Sequence, residues 1–196
     1  MKPDAYYDTL AISAKLKGSF ESVAPSEIHL FAYLSCLLSL YSGKAASDWG
    51  YGFVATDNGS PYSPEVDDAL RFLVREGYLY ESNGYLTIVS EGLQDYRELS
   101  ELLRNQEREP FLDGSCASVF ALPIGLIRQA ISTDHDMKVA ASFGDTRALL
   151  TESSLEDLHD AFALLSEHIG VGVNDLMVPA VVWLSYLSQI SEVSNG

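Results

Sequence analysis

The side chains in this chain that could do chemistry are few and widely spaced. Histidines stand at His29, His135, His159 and His168, and no two form a metal-binding pair at helical spacing. Zinc would need three or four converging ligands, which these positions do not suggest. The two cysteines, Cys36 and Cys116, sit inside apolar helical stretches, which reads as two small buried hydrophobes rather than a bridge or ligand set. Asp134-His135-Asp136 is a polar turn after a helix, with no nucleophile indicated beside it. Gly50-Tyr51-Gly52 and Gly170-Val171-Gly172 both lack the pattern of a nucleotide-binding fingerprint. Asp67-Asp68 and Glu156-Asp157 fall in first helical turns, where the helix dipole already explains them. The expectation is a protein that is not an enzyme, with no catalytic residue, no cofactor and no metal.

Charge narrows the partner class. The net charge is −16, from 28 acidic against 12 basic residues. Duplex DNA is bound largely by Lys and Arg displacing counterions, so this balance argues against it. Residues 1–24 sum to 0, residues 25–92 to −6 and residues 93–196 to −10. That distribution suits a basic protein partner. The N-terminus lacks the apolar stretch of a signal peptide. The longest apolar stretch, Ala117 to Ile131, is broken by Pro123 and Gly125 and is too short to span a bilayer. The expected location is the cytoplasm.

Those side chains must be positioned by elements legible in the periodicity. Residues 1–24 predict one short helix or strand. Ile28, Phe31, Leu34, Leu38 and Tyr41 recur at helical spacing, with Ser26 as expected N-cap and Gly43 as stop. Residues 44–62 read as irregular. Ser63-Pro64 then opens a strongly signalled helix carrying Val66, Ala69, Leu70, Leu73 and Val74 on one face, ending at Gly77. Two strand-rich runs, Tyr78–Tyr80 and Tyr85–Val89, flank Asn83-Gly84 and predict a hairpin. The order helix, loop, helix, two-stranded wing is that of a winged helix-turn-helix.

A helix capped by Ser90 follows, then a charged connector from Arg104 to Glu109. Further helices are expected over Leu122–Ile131, from Ser154, and from an Asn174 cap through Leu187. The expected fold is mostly α with a small β-wing. It divides into an N-terminal segment (1–24), a winged-helix domain (25–92) and a helical C-terminal half (93–196).

In a DNA-reading winged helix, the Ser63–Glu76 helix would enter the major groove. Here it carries Glu65, Asp67, Asp68 and Glu76 against Arg71 and Arg75, and the wing adds Glu81 with no base. Arg71 and Arg75 share one face and could contact an anion, but pairing with Asp67 and Asp68 along the helix is favoured. Aromatics gather around the motif, and Tyr and Trp suit protein interfaces. Trp49, Tyr51, Tyr80 and Tyr85 are expected to be exposed there. Tyr62, Arg71 and Arg75 complete the candidate partner-binding set, with Trp183 and Tyr186 a second patch on the last helix.

The run Tyr51 to Leu79, YGFVATDNGSPYSPEVDDALRFLVREGYL, resembles a recurring winged-helix pattern. Its core is Gly-x-Pro-Tyr-Ser, an acidic amphipathic helix, then Gly and a strand. It is similar to Panacea-type antitoxin domains and to the small middle component of bacterial three-component ABC-ATPase defence systems, including the Lamassu type. The long helical C-terminal half favours the second group. That resemblance implies an accessory subunit between a coiled-coil ATPase, related to chromosome-maintenance ATPases, and an effector that is often a nuclease. The expected function is a non-catalytic adaptor in such an anti-phage or anti-plasmid complex. The alternative is a winged-helix DNA-binding regulator or antitoxin.

Overall fold

The computed structural model describes residues 1–170 and 175–194, with side chains described through residue 189. The N-terminal stretch forms a helix, α1 (Pro3–Leu16), whose Leu10, Ile12 and Leu16 are buried. Helix α2 (Pro25–Tyr41) is the centre of the core, with every residue from Ile28 to Leu40 buried. A helix apolar on all sides must be enclosed on all sides, and α2 is covered by α1, by a later helix α6 and by strand β2. The N-cap of α2 is Ala24, not the expected Ser26. The Glu27 carboxylate reaches back to accept the Ala24 N–H at 2.8 Å, and Pro25 occupies the first turn.

The stretch expected to be irregular holds a 3-10 turn at Ala46–Trp49 and two short antiparallel strands, β1 (Val54–Ala55) and β2 (Pro61–Tyr62). Strands of two residues carry no readable period. Helix α3 (Pro64–Arg75) starts at the expected Ser63, whose hydroxyl donates to Glu65 at 3.2 Å. It stops at Gly77, whose φ of +79° lets the Tyr78 N–H turn back to the Leu73 carbonyl at 2.9 Å. The hairpin of β3 (Leu79–Ser82) and β4 (Tyr85–Ile88) closes through Asn83 and Gly84, both at positive φ. Val23 bridges the far side of β4 through paired bonds with Leu86, so the N-terminal stretch takes part in this sheet.

Helix α4 (Ser90–Ser100) is capped at Val89, one residue before the expected Ser90. The charged run is not a plain connector: it forms α5 (Leu103–Gln106) and leads into α6 (Glu109–Ala117). The α6 helix packs on α2 through small groups. Ser35 and Ser115 hydroxyls lie 2.6 Å apart, so one donates to the other, whose own hydrogen is left for a carbonyl on its helix. Cys36 and Cys116 are free and buried, and burial pushes both thiols well above their ordinary range.

Helix α7 (Ile124–Ser132) matches expectation. Asp134 then caps a helix the sequence did not announce, α8 (His135–Phe143), by accepting from the Asp136 and Met137 N–H groups. Strand β5 (Arg147–Ala148) joins β1, giving the order β2-β1-β5. Helix α9 (Glu152–Ile169) is capped by Thr151 rather than Ser154, because the Thr151 hydroxyl accepts the Ser154 N–H. The last helix, α10 (Met177–Ser194), packs across α6 and α7. Its expected Asn174 cap lies outside the described residues.

The fold is mostly helical with small antiparallel sheets, and all three stretches contribute to one hydrophobic core. Among the described residues no single helix is long and apolar enough to cross a membrane. The apolar stretch around residues 109–132 is bent by 117° at its break.

Gly114 on α6 is where α10 begins its approach: a Cβ there would lie 2.6 Å from Leu176 Cβ and 2.8 Å from its carbonyl carbon. Gly114→Ala should cost about 1–3 kcal/mol, the range for overpacking a tight contact. Gly125→Ala on α7, where the added methyl meets open space, should be neutral or gain up to about 1 kcal/mol. Urea titration of the two variants measures the contrast.

Candidate partner-binding surfaces

Trp49 and Tyr51 are not surface anchors: both are at least 94% buried, at 3% and 6% relative exposure. They wall a charged node. Asp8 on α1 is completely buried and faces Arg108, which enters the core just before α6. The guanidinium meets the carboxylate fork to fork, Nε donating to Oδ1 at 2.7 Å and Nη2 to Oδ2. Its Nη1 donates to the Trp49 carbonyl at 3.0 Å, and the Tyr51 hydroxyl donates to Asp8 at 2.6 Å. The Arg108 plane lies 3.9 Å from the Trp49 ring centroid. Burial works against the Arg108 charge, but the Asp8 carboxylate outweighs it and holds the guanidinium firmly protonated. Aromatic residues were read as interface because they cluster in sequence, but here they desolvate an ion pair.

A polar cavity of about 320 Å³ opens above this node, lined by Asp4, Asp48 and Glu107 with Lys44, Arg104 and Arg108. Arg104 pairs with Asp4 at 2.5 Å, and Arg108 is already engaged. The hydroxyl in the lining, Ser39, donates to the Cys36 carbonyl at 2.7 Å. Lys44 lies over the Phe111 ring, its Nζ 5.4 Å from the centroid.

Just before α3, Tyr62 of β2 lies tilted beside His29 of α2, ring centroids 4.7 Å apart. His29 is buried, and its Nδ1 accepts the Ser63 N–H at 3.2 Å, so this nitrogen must be unprotonated. Burial lowers its pKa from 6.5 to about 4. Arg71 pairs with Asp67 one turn back, as its spacing suggested. Arg75 pairs with the adjacent Glu76 rather than Asp68, and its guanidinium lies 5.0 Å from the Phe72 ring centroid. Asp68 and Glu76 are exposed on the same helix.

The remaining candidates divide between two surfaces. Tyr80 and Tyr85 are exposed on the wing, at 63% and 53%. Beside them lies a shallow depression lined by Val74, Leu79, Glu81 and Val89. The outer edge of β3 carries no partner strand among the described residues, because β4 is flanked instead by Val23. Trp183 and Tyr186 on α10 lie together, centroids 6.3 Å apart, on an apolar groove against α9. Leu164 and Val182 also line that groove and were not singled out from the sequence. A signal existed: Leu155, Leu158, Phe162 and Leu165 form one inward stripe on α9, and Leu164 falls outside it.

The basic residues are mostly spent internally. Among the described residues, eight of the 12 Lys and Arg lie within 4.0 Å of a carboxylate: Lys2, Lys15, Arg71, Arg75, Arg104, Arg108, Arg128 and Arg147. Lys15 and Arg108 are enclosed, and the other six of these side chains remain 44–73% exposed.

Arg108→Ala should destabilise by about 3–5 kcal/mol, because it strands Asp8 as a buried charge. The double change Asp8→Leu with Arg108→Met should cost less than Arg108→Ala alone, measured by urea unfolding. The His29 hydrogen bond sets a pH dependence. The unfolded chain protonates His29 near 6.5 and the folded chain only near 4, so the unfolded state binds more protons between them. Stability should therefore be full above pH 6.5 and decline as pH falls toward 4, by about 3 kcal/mol from this group. His29→Gln should flatten that part of the stability-versus-pH curve.

No family model, no curated protein and no solved structure matches the chain.

Proposed function

We propose that this chain is a non-catalytic, cytoplasmic adaptor subunit that binds protein partners. The carrying observation is the net charge of −16, together with the pairing, among the described residues, of eight of the 12 cations with the chain's own carboxylates. A duplex approaching α3 would meet Asp68 and Glu76 exposed, and Arg71 and Arg75 already paired. Few counterions would be released to offset that repulsion. The wing instead offers Tyr80 and Tyr85, rigid and amphipathic, beside an open strand edge that a polypeptide can extend.

The winged-helix reading is supported by the order α1, the Val23 bridge, α2, α3 and the β3–β4 hairpin. On this reading residues 1–24 belong to the winged-helix unit, with α1 packed directly on α3. The partners are those implied by the resemblance of residues 51–79: a large coiled-coil ABC/SMC-like ATPase and an effector nuclease of a bacterial anti-phage or anti-plasmid complex. A DNA-binding regulator or antitoxin is the second reading. It has the same element order in its favour and the charge of α3 against it.

When expressed with its neighbouring genes, the tagged protein should copurify with a large ATPase, and Tyr80→Ala with Tyr85→Ala should reduce the recovered partner. Alone, it should show no salt-dependent affinity for a short duplex at low ionic strength. A tight duplex complex whose affinity falls steeply with added salt would reverse the order of the two readings.

A further inference from the structure

The surface between α9 and α10 carries an inference of its own. Ala161, Leu164 and Leu165 face Val182, Trp183 and Tyr186 across a groove of about 380 Å³. Leu164 is 59% exposed and Tyr186 55%. These are large apolar groups left in water side by side, and such patches mark interaction sites.

Charge specifies what would cover them. Helix α9 carries Glu152, Glu156, Asp157, Asp160 and Glu167, all exposed, and no Lys or Arg. Asp157 stands four residues before Ala161, and Asp160 four before Leu164. Both therefore continue the rows that line the groove. On α10, residues 177–189 contain no charged side chain. A second copy of this chain would bring two acidic α9 helices face to face, and an anionic lipid surface would meet the same repulsion. A segment with apolar residues on one face and Lys or Arg beside them would be attracted at both.

The rows from residue 157 to 168 run about 16 Å along the helix axis, which seats two to three turns of a docked helix. Apolar anchors at i, i+3 or i+4, and i+7 match that length. We propose that this groove receives a basic amphipathic helix of a partner protein. The inference extends the adaptor reading but stands on a surface separate from the wing.

The test uses the full-length protein and a fluorescein-labelled leucine–lysine amphipathic helix of about four turns, long enough to hold helical structure. Binding is read by anisotropy and by the emission of Trp183, whose signal Trp183→Phe removes. The expected result is saturable binding weakened about tenfold by Leu164→Ala with Tyr186→Ala, and similarly by Asp157→Asn with Asp160→Asn. Glu91→Gln with Glu98→Gln on α4 removes the same charge elsewhere and should leave binding near wild type. A leucine–glutamate helix should not bind. Apart from the half-buried Trp183 these positions are exposed, and thermal melts of each variant check folding. Equal loss in the α4 control, unchanged binding in the groove variants, or equal binding of the glutamate helix overturns the proposal. So does a Leu164-dependent dimer, or Leu164-dependent binding to phosphatidylglycerol vesicles in place of the peptide. If the basic helix fails to bind while copurification through the wing persists, the groove is overturned and the adaptor reading stands.

Discussion

The ion pair between Asp8 and Arg108 is the constraint on which the rest of this structure depends. A charge with no water around it must be met by an opposite charge and by hydrogen bonds on its remaining sites. Asp8 meets Arg108 and Tyr51, and Arg108 meets Asp8 and the Trp49 carbonyl. Each partner comes from a different part of the chain, so satisfying one carboxylate fixes α1, the Trp49–Tyr51 segment and the start of α6 together. The node is surrounded by aromatic rings, which exclude water from it and strengthen its electrostatics.

A second polar cluster repeats the arrangement nearer the surface. Lys15 on α1 donates to Glu109 at 2.7 Å, to Asp113 at 2.5 Å and to the Tyr96 hydroxyl at 2.9 Å. Tyr7 donates to Glu109 as well, and Tyr6 to Asp95 at 2.5 Å. Burial opposes the Lys15 charge, but its two carboxylates hold the ammonium more firmly protonated than usual. Thus α1 is locked to α4 and α6 through polar groups while its apolar face fills the core. Lys15 and Arg108 are the two paired cations enclosed in this way among the described residues. The net acidity itself follows from the composition, because every such pair takes one carboxylate with each cation.

The two candidate surfaces lie away from these ties. The β3–β4 hairpin has an outer edge without a partner strand among the described residues and two tyrosines in water. The α9–α10 groove is apolar and acid-flanked, with its aromatic pair on one wall. Both offer exposed aromatic area, and the groove adds flanking acidic charge, features that a polypeptide partner can recognise.

What the sequence determined by itself was everything governed by neighbours within a few residues. The Ser63-Pro64 start and Gly77 stop of α3, the Asn83-Gly84 turn, the all-round apolar α2 and the Arg71–Asp67 pair follow from local spacing, and each is present. Caps were misplaced by one to three residues because several polar groups compete for the same free N–H, as at Glu27 and Thr151. Tertiary structure alone decided which aromatics are buried. Trp49 and Tyr80 look alike in sequence, but only Trp49 lies against Arg108. It also decided that a charge in an apparent connector would become the centre of the core. Asp8 and Arg108 are 100 residues apart, and no periodicity links them. A local pattern records which face of an element is apolar; which buried charge finds which partner depends on how the whole chain closes.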